Sequence, residues 1–298
     1  NIGFTFILFL FNINNASDFQ SIFLAATLSF LRDFIIIYFL YKKVDPVASV
    51  ISIFLISFHP YIAIYSIKFT TGIFTSFAIL LILFKIRYDN FKWMYFIPIA
   101  LVEILCRNFT TFIFASFSII CSLKSNTIKV KFIYIILAII FLIFGFLVSG
   151  PYLQPQIYAA QYMSPLGIDS VQTLFGIVLP NNEFMENFMH VFGRIILLFG
   201  GRDKYFVYGF ESVLEDHILV VTLLSSFFFI NIFSFMLSIR EGYKFFGLKG
   251  VSIYFPLFLT IFSVAHMRQL APYLPFMMAA LSIFLYRLFF KNKNSGII

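Results

Sequence analysis

The chain has 298 residues, 61% of them apolar, 21% aromatic and only 11% charged, whereas soluble domains run about 45–50% apolar and about 25% charged. That balance excludes a soluble globular enzyme and a disordered chain, and it points to an integral membrane protein. The net charge of +8 would suggest nucleic acid in a soluble chain, but here it suits basic loops between membrane helices, and no nucleic-acid partner is expected.

In chain order, residues 2–11 are apolar but shorter than the ~18–20 residues a crossing helix needs. They read as a juxtamembrane helix. Nine apolar stretches follow that read as spans: 19–41, 46–58, 69–84, 91–106, 109–123, 132–149, 218–239, 251–265 and 270–290. Breaks fall where the chain supplies a reason. Lys42–Lys43 closes the first, proline at 60 disfavours helix at His59, and Arg107–Asn108 leaves room only for a tight hairpin. The expected fold is therefore an all-α polytopic bundle of about nine spans, with membrane helices in 1–149 and 217–298 and one long loop at 150–216.

That loop holds 7 of the 13 acidic residues and only three basic ones, Arg194, Arg202 and Lys204. Within it, Glu183, Glu186, Asn187, His190 and Arg194 recur at helical spacing, while phenylalanine, methionine and isoleucine fill the opposite face. The pattern predicts an amphipathic helix lying in the membrane interface. Its polar stripe, Glu183, Glu186, His190 and Arg194, either lines a substrate groove or faces water while the helix anchors the loop.

If the spans alternate, the segments 42–45, 85–92, 124–131, 240–249 and 287–293 share one side and carry 14 of the 21 lysines and arginines. Cytoplasmic loops collect such residues. The expected topology thus puts the long loop and all four histidines outside, and the C-terminus in the cytoplasm.

Charges inside spans are costly, about 2.5–3.5 kcal/mol each at mid-bilayer on insertion scales. Arg32 and Asp33 are adjacent, so they point to different helix faces and each is expected to need its own partner. Glu103 and Arg107 stand at the spacing of an intrahelical pair. Arg107, Lys68 and Arg268 all map to outer helix ends, a level at which they can hold a phosphate or simply snorkel. The histidines show no metal-ligand spacing. Cys106 and Cys121 read as small apolar side chains, so no metal site or disulfide is expected.

The block His59-Pro-Tyr-Ile-Ala-Ile-Tyr-Ser-Ile-Lys-Phe-Thr-Thr-Gly72 leads into a span, a basic loop with Trp93, and a hairpin at Arg107. Together with His266-Met-Arg-Gln-Leu-Ala-Pro-Tyr-Leu-Pro275, it resembles the C-type polytopic glycosyltransferases, such as protein mannosyltransferases and aminoarabinose transferases. The opening Asn1-Ile-Gly-Phe is similar to the end of their first outer loop. The resemblance implies sugar transfer from a polyprenyl-phosphate donor to a lipid, glycan or protein acceptor, on the outer face of a bacterial plasma membrane. It makes Arg268, Arg107 and Lys68 the expected phosphate-binding residues, and membrane lipids and the polyprenyl-phosphate sugar the expected partners. No cofactor is expected, although a divalent metal would be compatible. Gly72 stands where the family has an acid. The family's catalytic acid is expected upstream of Asn1, so the catalytic residue is not assigned in this chain. A lipid-linked polysaccharide polymerase or flippase, or a non-catalytic membrane protein lacking the acid, would share this composition.

Overall fold

The computed structural model describes residues 7–10, 19–67, 72–88, 92–107, 109–149, 195, 198–199, 218–261 and 267–290. Its regular elements are helices; no strand occurs among the described residues. In lipid a helix satisfies its own backbone, which an isolated strand cannot do. The helices are α1 (Phe19–Lys43), α2 (Pro46–Phe58), α3 (Pro60–Ile67), α4 (Gly72–Arg87), α5 (Trp93–Cys106), α6 (Thr110–Lys124) and α7 (Ile128–Ser149). After the long central stretch come α8 (Ile218–Val251), α9 (Phe255–Ile261), α10 (Met267–Leu270) and α11 (Leu274–Phe289).

Among the described residues three helices are long and apolar enough to cross a bilayer, Phe19–Lys43, Ile128–Val148 and Ala271–Phe289, and the bent pair α2–α3 makes a fourth if counted as one span. Trp93–Cys106 and Thr110–Lys124 are apolar but shorter. At about 1.5 Å per residue each covers only ~21–23 Å of a ~30 Å hydrocarbon core. The membrane character expected from composition thus stands, carried by three to four candidate spans.

Local chemistry explains the boundaries. Asp45 caps α2 by accepting a hydrogen bond from the Val47 amide at 2.8 Å, and Pro46 takes the first turn, where no amide is needed. α2 stops at Phe58, and with Pro60 starting α3 the axis bends by 73°. The segment 240–249, expected as a basic loop, is helical up to a break between two helices at Gly247, which lies inside it. Arg240, Glu241 and Lys244 are good helix formers, and nothing interrupts the helix before Gly247, where φ reaches +63° and the axis kinks.

The chain divides into two compact units, one of Asn1–Gly150, Ser234–Pro256 and Pro272–Ile298, the other of Pro151–Phe233 and Leu257–Ala271. In the first, α11 packs on α2 and α1, α1 on α2, α3 and α4, and α5, α6 and α7 form an aromatic-centred group. There Phe96 meets Phe114 edge-on at 5.7 Å, and Phe114 meets Phe141 at 5.6 Å. α6 and α7 approach closely because Gly145 has no Cβ. One added there would collide with Thr111. Of the 18-residue window in α11, 61% is buried, against 22% for α1 and for α7, so α11 is the central post and the other two are lipid-facing walls. Phe132, Ile136, Ile140, Ile143 and Leu147 make the exposed wall of α7.

The second unit contributes fewer described residues. Within it, Asn231 Nδ2 donates to the Phe199 carbonyl at 2.9 Å, and Leu198, Phe199 and Asn231 are all buried. A helix asparagine is thereby satisfied inside an apolar setting.

Candidate functional site

The first unit carries a half-open apolar cavity of about 590 Å³, lined by α1, α4, α5, α8 and α11 together with the Ser252–Tyr254 turn. Ligand cavities commonly hold ~300–1,000 Å³. Along α4 its wall runs from Phe77 to Arg87. Ten residues of helix rise about 15 Å, half of the ~30 Å hydrocarbon core. The cavity therefore runs ~15 Å along α4, a length comparable to one leaflet.

Its two ends differ. Lys42, Lys43, Arg87, Tyr88 and Glu241 line one end, where α1 and α4 finish. Phe276 and Glu103 line the other. At the charged end, buried Glu241 is clamped by Arg287, whose Nη1 lies 2.7 and 2.8 Å from its two carboxylate oxygens, with Lys244 at 3.3 Å. Tyr286 donates to Asp45 at 2.9 Å. These bonds tie α11 to α8 and to the start of α2. The basic ends of α1, α4, α8 and α11 thus gather at one pole of the unit.

At the opposite pole, α5 ends at Cys106. Arg107 turns to an extended conformation, φ −151° and ψ 110°, while its amide still donates to the Glu103 carbonyl at 2.8 Å. The expected Glu103–Arg107 side-chain pair assumed that the helix continued. The helix stops one residue short, and Glu103 Oε2 is left buried without a hydrogen-bond partner. Arg107 is itself buried, its guanidinium carbon 5.5 Å from the Phe109 ring centroid. Its carbonyl accepts from Thr110 Oγ1 at 2.7 Å, which seats the start of α6.

Arg32 and Asp33 do not find separate partners. Arg32 Nε and Nη2 reach Asp33 Oδ1 and Oδ2 at 2.7 and 3.1 Å. The long arginine stem curls around the helix, so neighbours on different faces still make a bidentate pair.

Of the expected phosphate residues, Arg107 is placed as above, and Lys68 lies outside the described residues. Arg268 is seen only as backbone in α10. Glu183, Glu186, His190 and Arg194 also fall outside them. Among the histidines, His59 is described. It is buried at the α2–α3 bend, its ring 5.8 Å from that of Tyr61. Among the described residues no group of three or more histidine, cysteine, aspartate or glutamate side chains converges as a metal site. Cys106 and Cys121 are buried thiols without a disulfide.

Sequence reasoning missed the cavity and the Glu241 clamp. The signal for the clamp was in plain view, since Glu241 is an acid within a basic segment. The stretches that carry the family resemblance also touch through their surroundings. Ser76, one turn beyond Gly72, donates to the Pro272 carbonyl at 2.9 Å.

Comparison with protein-family models, with curated proteins and with solved structures finds no match.

Proposed function

We propose that this chain is an integral-membrane glycosyltransferase that takes a sugar from a polyprenyl-phosphate donor at the outer face of a plasma membrane. The observation that carries the reading is the apolar cavity set among candidate membrane-spanning helices, with a volume and depth suited to a lipid-borne substrate. Arg107, at the opposite pole from the basic helix ends, supports it as a fixed cation on the side where the donor phosphate would lie. Transfer requires a carboxylate to take the acceptor proton and cations to stabilise the departing phosphate. In this reading Arg268, Arg107 and Lys68 supply the cations, and the polar stripe of Glu183, Glu186, His190 and Arg194 guides the acceptor.

The test is transfer by the full-length protein in vesicles supplied with a polyprenyl-phosphate sugar carrying a radiolabel. Release of polyprenyl phosphate, or label in the acceptor fraction, is expected. Arg268→Ala should lower the rate by about two orders of magnitude or more, the scale of losing one charge-stabilising donor, with expression unchanged. Full activity in that variant removes Arg268 from the site. A folded protein inert toward every such donor rejects the transferase.

A further inference from the structure

The cavity and its basic rim support a second binding event, one that does not rest on the transferase reading. Lys42, Lys43 and Arg87 are exposed at the rim and make no ion pair among the described residues. Lys42 packs against Tyr38 and Tyr41, its Nζ 6.0 and 5.5 Å from their ring centroids. Among the described residues the carboxylates at this pole are already engaged, Glu241 by Arg287 and Lys244, Asp45 by Tyr286 and the Val47 amide. The rim is therefore a net positive ring over an apolar shaft comparable in length to one leaflet. Inside, the wall is mostly hydrocarbon, from residues such as Leu80, Phe84, Ile99 and Ala280, with Ser238, Tyr254 and Glu103 as its polar members.

We infer that the shaft holds an acyl chain of an anionic phospholipid from the leaflet on the basic side, with the lipid phosphate bound by Lys42, Lys43 and Arg87. The match is one of depth and of charge. A shaft comparable in length to one leaflet fits that leaflet's chain, and basic residues at a membrane boundary attract anionic headgroups. Arg87 adds a planar fork able to hold two phosphate oxygens. The phosphate bound here sits at the pole opposite Arg107, so the two phosphate positions are separate, while the chains of the two lipids would compete for one cavity.

The experiment purifies the full chain in neutral detergent, adds an equimolar mixture of phosphatidylglycerol and phosphatidylcholine with identical chains, and measures retained lipid by native mass spectrometry. The native protein should retain phosphatidylglycerol at least about tenfold over phosphatidylcholine, the preference expected from several basic residues. Lys42→Gln, Lys43→Gln and Arg87→Gln combined should bring the ratio near unity, while Lys129→Gln with Lys131→Gln should leave it intact. Ala280→Phe, or Ala279→Leu if the first variant does not elute as a single species, should reduce retention of both lipids by narrowing the shaft. No preference in the native protein overturns the proposal. So does preference surviving the rim variant, or an equal loss in the Lys129/Lys131 control. Undiminished retention in the narrowed shaft reduces the site to surface attraction and overturns the chain's placement.

Discussion

A charge in an apolar bundle persists only where something nearby compensates it, and this chain shows three arrangements. Arg32 pairs with its own neighbour, Asp33, at 2.7 Å. Glu241 sits between two cations from two helices. Arg107 is buried over an aromatic ring. The Glu241 clamp offers a direct test. Arg287→Ala leaves Lys244 alone, among the described residues, on a buried carboxylate and should destabilise the protein by on the order of 3 kcal/mol. Thermal unfolding in detergent would show it, and Glu241→Ala added to that variant should recover part of the loss. An unchanged unfolding temperature in Arg287→Ala means that the clamp does not hold α8 to α11. At this scale residue types were legible in the sequence but pairings were not. Adjacency argued against an Arg32–Asp33 bond because it counted helix faces and ignored stem length. Spacing argued for a Glu103–Arg107 bond because it assumed a helix that ends one residue too early.

Helix boundaries were readable wherever a residue forces them. Pro60 and Asp45–Pro46 act through the backbone itself, and the breaks fall there. The basic segment at 240–249 marked where a break falls but not how short it is, since charge marks solvent exposure, not the loss of helix, and helix runs on to Gly247. The true punctuation is Gly247, whose positive φ only glycine adopts without cost. Beyond it the chain folds back so closely that a Cβ on Gly250 would stand 2.6 Å from Phe246 Cβ and 2.7 Å from the Gly242 carbonyl. Gly247→Ala should cost about 1–3 kcal/mol, because its φ of +63° with ψ of −159° falls in a region essentially only glycine occupies. Gly250→Ala should cost about 1–3 kcal/mol, the usual penalty of overpacking. Both would appear as lower unfolding temperatures in detergent, whereas Gly242→Ala, whose added Cβ would meet nothing closer than 3.8 Å, should be tolerated. Equal behaviour of all three would deny that the kink depends on these glycines.

For the molecule as a whole, composition alone fixed the helical membrane character, because few other structures bury so much hydrocarbon. The cavity was not foreseeable, since it arises from five helices far apart in sequence. Sidedness has its own test. In a Cys106→Ala, Cys121→Ala background, Ser170→Cys should react with an impermeant maleimide added outside intact cells, and Lys129→Cys should react only after permeabilisation. The reverse pattern inverts the topology and removes the outer-face donor. The 73° bend at His59 carries a consequence of its own. If α2 stands upright in the bilayer, α3 lies nearly flat, so its eight residues climb only roughly 3–4 Å of the ~12 Å they would cover upright. The pair then behaves as a foot resting at a fixed depth. A thinner or thicker bilayer would press on that foot and strain the bend, which makes the lipid-thickness response of this protein a property of one proline.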